Sequence, residues 1–133
     1  MGINRKTFLL YLLQIPFLIP FIQGFLKRIN SKKFLLNIFS VAGSQFYDGD
    51  SIINDLQVGD LLKLVTELNN PFDKFAVKIK YQEKQVGYVP RSDNRYIARM
   101  IGQGMQLDCE ILSLKPDEDP WQKIQVAVYL IKM

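Results

Sequence analysis

Aromatic, charged and amide side chains gather at the turns of this chain. Gln45, Phe46 and Tyr47 follow Gly43. Phe72, Asp73 and Lys74 follow an Asn-Asn-Pro turn, and Tyr88 and Arg91 flank Val89-Pro90. Flat rings beside a few cationic and hydrogen-bonding groups are what single-stranded nucleic acid requires. Each base stacks on a ring for about 1–3 kcal/mol, and lysine or arginine meets the phosphates. The same aromatics also serve as core residues or strand-edge plugs, and composition alone favours that plainer role. Catalytic sets are missing. The chain has no histidine and one cysteine, Cys109, which removes Ser-His and Cys-His catalysis and any ligand set for structural zinc. Asp48 and Asp50 suit a turn better than a divalent cation, and Asp117, Glu118 and Asp119 read as a solvated loop. No nucleophile, base and oxyanion site come together, so we expect no enzyme, no cofactor and no metal.

The elements that must position these residues are mostly strands. "FLLNIFSVAG" reads as a first strand ending at Gly43. "SIINDLQVGD" suits a short helix with Ser51 as N-cap and Gly59 at its end. "LLKLVTEL" is a strand, and Asn69, Asn70 and Pro71 form the turn after it. In "FAVKIKY" the period of two puts Ala76, Lys78 and Lys80 on one face and Phe75, Val77, Ile79 and Tyr81 on the other, the mark of a half-buried strand. "QVGYV" is a further short strand. "PRSDNRYIARMIGQG" predicts a helix capped by Ser92 or Asp93, with Ile97, Met100 and Ile101 on one face and Gly102 or Gly104 at its stop. "MQLDCEILSL" and "KIQVAVYLI" close the chain as strands. About six strands with one or two short helices predict a mainly β fold, a small closed or partly open OB-like barrel.

The 133 residues suit one modest domain with an appendage. Residues 1–38 hold six basic side chains and no acid, a charge of +6. Residues 39–133 hold eleven basic and thirteen acidic side chains, a charge of −2. The basic balance therefore belongs to the N-terminal arm, and bulk electrostatics does not recommend the body as a nucleic-acid binder. Phe8 to Leu26 is a 19-residue run without a charge, about the length that crosses hydrocarbon. Pro16, Pro20, Gln14 and Gln23 count against a plain spanning helix. A spanning or re-entrant anchor competes with an arm packed on the domain or on a second copy. A cleaved signal peptide lacks its small-residue cleavage site. If residues 8–26 span, the basic flank Lys27, Arg28, Lys32 and Lys33 leaves the body in the cytoplasm, at the inner face of the cell membrane. We therefore divide the chain into an arm, residues 1–33, and a β-barrel domain, residues 34–133.

Three blocks carry a family resemblance: "VAGSQFYDG", "GDLLKLVTELNNPFDKFAVKI" and "VGYVPRSDNRYIARMIGQG". Their order and spacing resemble the HIRAN domain over roughly residues 37–131. The resemblance implies a modified OB-like barrel with helical insertions. From the eukaryotic members it implies binding of single-stranded DNA at a free 3′ end, in the service of remodelling stalled replication forks and DNA repair. By that resemblance Phe46 and Tyr47 form the first-loop aromatic pair that stacks on a terminal base. Phe72 is a second flanking ring, and Asp73 receives the terminal hydroxyl. Arg91 falls where a family lysine meets phosphate, and Tyr88 where a histidine lines the pocket. Lys74 either pairs with Asp73 or follows the backbone. Gln45 replaces a family arginine, and Phe72 a tyrosine. The partners implied are single-stranded DNA or other nucleic acid, and a protein supplying helicase or nuclease activity. The rival reading is a membrane-associated protein-interaction module that binds no DNA.

Overall fold

The structure, a computed structural model, describes residues 20, 22, 23 and 32–132. The chain divides into two compact units, residues 1–32 with 132–133, and residues 33–131. In the first, residues 20, 22 and 23 are helical. The rest of the apolar run expected to anchor the chain, residues 8–26, lies outside the described residues. Among the described residues no helix is long and apolar enough to cross a membrane.

The second unit is mainly β. Among the described residues six strands, β1 (Lys32–Ser40), β2 (Leu61–Thr66), β3 (Val77–Tyr81), β4 (Lys84–Tyr88), β5 (Leu107–Leu114) and β6 (Ile124–Lys132), form one sheet in the order β1-β6-β5-β2-β3-β4. The pairings β2–β3, β2–β5, β3–β4 and β5–β6 are antiparallel. The sheet curls without closing. Just beyond β1, Ala42 and Tyr88 of β4 exchange two backbone hydrogen bonds of 2.8 Å, an isolated bridge between the two ends of the sheet. Full closure, one of the two expected forms, fails here for a local reason. Gly43 takes a φ of 72° and turns the chain out of strand geometry before a ladder can grow. Even that single bridge needs a glycine opposite it. A Cβ on Gly87 would stand 2.5 Å from the Ala42 carbonyl oxygen.

Val77 and Ile79 of β3 are fully buried, together with Val86, Cys109, Ile111, Val126 and Val128. Such burial stabilises the body by about 1.5–3 kcal/mol for each large aliphatic side chain. Burial pushes the Cys109 thiol up to about 12, with the Asp108 charge adding to it, so it stays a protonated core residue. The alternation expected for "FAVKIKY" holds only from Val77 onward. Lys74 and Phe75 form a turn, so Phe75 is half-buried and Ala76 is buried, the reverse of the expected parity.

Two α-helices accompany the sheet among the described residues, α1 (Gly49–Ile52) and α2 (Arg91–Gly102). Both begin differently from expectation. At α1 the N-cap is Asp48, and Ser51 lies within the helix, its hydroxyl donating to the Asp48 carbonyl at 2.9 Å. At α2 Pro90 takes the N-cap position, leaving no side-chain cap. Asp93, expected as a cap, instead accepts hydrogen bonds from Asn37 Nδ2 at 2.6 Å and Ser92 Oγ at 2.9 Å. The Asn37–Asp93 bond ties the start of α2 to β1. Asn94, Ile97 and Ala98 are the buried residues of α2.

Candidate functional site

Two turns and the head of α2 build one site. In the β2–β3 connection, Asn70 Oδ1 accepts the backbone N–H groups of Phe72 at 2.9 Å and Asp73 at 3.0 Å. Asp73 Oδ1 accepts the N–H of Phe75 at 2.9 Å. These side-chain-to-backbone bonds are why an Asn and an Asp belong in the turn. They hold the Phe72 ring out in solvent, 86% exposed. In the loop after β1, the Gly43 turn and the 3-10 turn Ser44–Phe46 present Phe46, 78% exposed. Tyr47 folds back edge-on to Tyr88, with ring centroids 5.4 Å apart at 66°.

Asp73 sits between these rings, its side chain 19% exposed. Besides the Phe75 N–H, it accepts Asn94 Nδ2 on Oδ2 at 2.7 Å, and Arg91 Nε lies 3.8 Å from the same oxygen. The Phe75 N–H, the Asn94 amide and the Arg91 guanidinium hold its carboxyl below the usual aspartate range, outweighing partial burial. Tyr88 donates to the Glu67 carboxylate, which also pairs with Lys78 Nζ at 3.3 Å. Partial burial, then the Glu67 hydrogen bond, pushes the Tyr88 phenol up to about 12. Burial alone would raise the Glu67 carboxyl, but Tyr88, Lys78 and Asn70 together lower it.

An open pocket of about 380 Å³ lies among these groups. Phe46, Tyr47, Phe72, Asp73, Tyr88 and Arg91, six of the eight expected site residues, line it. Ala42, Gly43, Asn70, Ala76, Val89 and Asn94 complete the wall. Gln45 and Lys74 do not line it. Gln45 is exposed on the 3-10 turn. Of the two alternatives for Lys74, pairing with Asp73 is not what the side chain does: its Nζ stands 5.2 Å from the Phe75 ring, and Arg91 takes the place beside Asp73. Asn70 and Asn94 escaped sequence reasoning. Asn94 left a signal, since it stands three and four positions before the apolar Ile97 and Ala98, on the face that packs inward. A second hollow, about 300 Å³, shares Phe72, Asp73, Arg91 and Asn94 with the first and adds Phe75 and Arg95. Among the described residues no group of three or more Cys, Asp or Glu side chains is placed to hold a metal ion.

The body is thus a small β domain, a curled sheet with a ring-edged pocket. Residues 36–132 match the HIRAN domain, and the chain belongs to that family, which in general comprises DNA-binding modules. The fold is similar to the crystal structure of a protein from Lactobacillus plantarum. The TM-score is 0.68 at 22% identity, covering 78% of this chain and 100% of that one. It is also similar to the HIRAN domain of human HLTF, with a TM-score of 0.60 at 17% identity, covering 74% and 78%. No curated protein matches the chain.

Proposed function

We propose that this HIRAN domain binds single-stranded DNA at a free 3′ end and catalyses no reaction. One observation carries the reading: two solvent-facing rings, Phe46 and Phe72, border a pocket whose wall holds the braced carboxylate of Asp73. The rings offer stacking faces to unpaired bases. A carboxylate has about four acceptor positions. The Phe75 N–H and the Asn94 amide occupy two of them, so capacity remains for a terminal hydroxyl. A strand that continues through a phosphate would bring like charge against Asp73, which disfavours interior positions. Arg91, its side chain 78% exposed, is free to swing from Asp73 to the phosphate behind the terminal sugar. Ring, acceptor and cation thus select an end over an interior.

The test compares two oligonucleotides of one sequence, labelled at the 5′ end and carrying either a 3′-hydroxyl or a 3′-phosphate. Fluorescence anisotropy with the full chain should show the hydroxyl form binding at least about tenfold more tightly, which corresponds to about 1.4 kcal/mol. Equal affinity would remove the end-selecting role from Asp73.

A further inference from the structure

We propose that the second hollow and the exposed edge of α2 form a phosphate track for the nucleotides that precede the captured end. This rests on the end-binding reading above. Three cations converge on one ring: Arg95 lies 4.9 Å from the centroid of Phe75, Lys74 5.2 Å and Arg99 5.6 Å. None of the three forms an ion pair with a carboxylate among the described residues. Like charges at i and i+4 on a helix repel each other, so Arg95 and Arg99 are a local electrostatic cost that an anion would relieve. Phe75 holds them in place through its π face. A guanidinium lying over a ring keeps its N–H edge available, and that planar edge suits phosphate oxygens.

The track also has a direction. Arg91, Arg95 and Arg99 follow one another at four-residue intervals along α2, about 12 Å end to end at ~1.5 Å per residue. Stacked nucleotides place one phosphate every ~3.4 Å along a strand, so the stripe accommodates about three. Among the described residues Asp73 is the only acid lining the second hollow, and it stands at the Arg91 end. The terminal sugar belongs beside the acid, and the preceding phosphates belong over Phe75 toward Arg99. The hollow shares Phe72 and Arg91 with the end pocket, so a strand passes from one to the other without leaving the surface.

The experiment measures affinity of the full chain for octathymidylate carrying a 3′-hydroxyl or a 3′-phosphate, and for a 3′-hydroxyl dithymidylate, across salt concentrations. Wild type, R95Q/R99Q and R95K/R99K are compared. Both arginines are exposed, so the helical circular dichroism should be unchanged. For single strands the slope of log K against log salt changes by about 0.7 per phosphate neutralised. R95Q/R99Q should therefore flatten the octamer slope by about 1.4. Between about 50 and 200 mM salt, wild type then loses about sevenfold more of its octamer affinity than this variant does. R95K/R99K should keep the wild-type slope, and the dimer, which reaches only the end pocket, should bind all three proteins alike. An octamer slope identical in wild type and R95Q/R99Q overturns the track while leaving end capture standing. Equal binding of 3′-hydroxyl and 3′-phosphate octamers overturns end capture while the slopes still report on the track. No octamer binding at all overturns both.

Discussion

Asp73 is an acceptor held ready by donors that come from three places: its own turn, the buried amide of Asn94 and the guanidinium of Arg91. Asn94→Leu removes a hydrogen bond to a charged group, worth about 1.5–3 kcal/mol, and should lower the urea midpoint accordingly. The sign of the pH effect follows from the lowered carboxyls of Asp73 and Glu67. A carboxylate whose folded value lies below its unfolded one binds fewer protons when folded. Its stabilisation is complete above the unfolded value of about 4 and is lost as the pH falls through the folded value. The stability gap between wild type and Asp73→Asn, read from urea midpoints, should therefore be constant near neutrality and shrink on acidification. With no histidine in the chain and the Tyr88 phenol near 12, DNA affinity at fixed salt should stay flat from about pH 5 to 7. A midpoint near pH 6.5 in a binding titration would contradict this. The rings are a separate matter. Phe46→Ala and Phe72→Ala each remove one stacking face, about 1–3 kcal/mol or roughly 5–150-fold in Kd. Both rings stand in solvent, so thermal stability should not change. A fall in Tm matching the loss of affinity would mean the rings serve the fold instead.

At the scale of elements, the site depends on how closely the loop after β1 approaches β4. The Ala42–Tyr88 bridge fixes the Gly43–Tyr47 loop beside β4, where it lines one pocket with the β2–β3 turn, and Gly87 is what permits the approach. Gly87→Ala would force its Cβ into the Ala42 carbonyl and Val41 Cγ1, 2.5 and 2.6 Å away. That overpacking should cost about 1–3 kcal/mol and weaken oligonucleotide binding as well, since Ala42 and Tyr88 line the pocket. Gly102→Ala supplies the contrast. Gly102 closes α2, and a methyl group added there would meet nothing within 4 Å. Alanine at that position should be neutral or stabilise by about 0.4–1 kcal/mol. Chemical denaturation of the two variants side by side checks both statements. Helix α2 joins the two hollows: its buried residues face inward, while Arg91, Arg95 and Arg99 stand exposed.

For the whole molecule, charge is divided between the parts. The arm is strongly basic while residues 39–133 carry −2, yet Arg91 stands beside Asp73 at the pocket and Lys74, Arg95 and Arg99 gather around the Phe75 ring. Local sign, not net charge, governs steering toward a cleft. Residues 33–131 form a compact unit of their own. Deleting residues 1–31 should therefore leave cooperative unfolding and the preference for a 3′-hydroxyl intact, as urea melts and anisotropy would report. Loss of either would give those residues a part in the body. Much of this was legible in the residues alone: the Asn-Asn-Pro turn, the alternation beyond Val77, the helix over 91–102, and six of the side chains that line the pocket. Each depends on neighbours a few positions apart or on composition, which the chain carries in its own order. Tertiary structure alone decided that Phe46 and Phe72, twenty-six positions apart, border one opening. It also decided that Asn94 and Arg91 rather than Lys74 attend Asp73, that Phe75 leaves the strand to gather three cations, and that the sheet stops short of closure. Those outcomes follow from strand register and from which surfaces the curled sheet brings together, and long-range packing of that kind has no local signature to read.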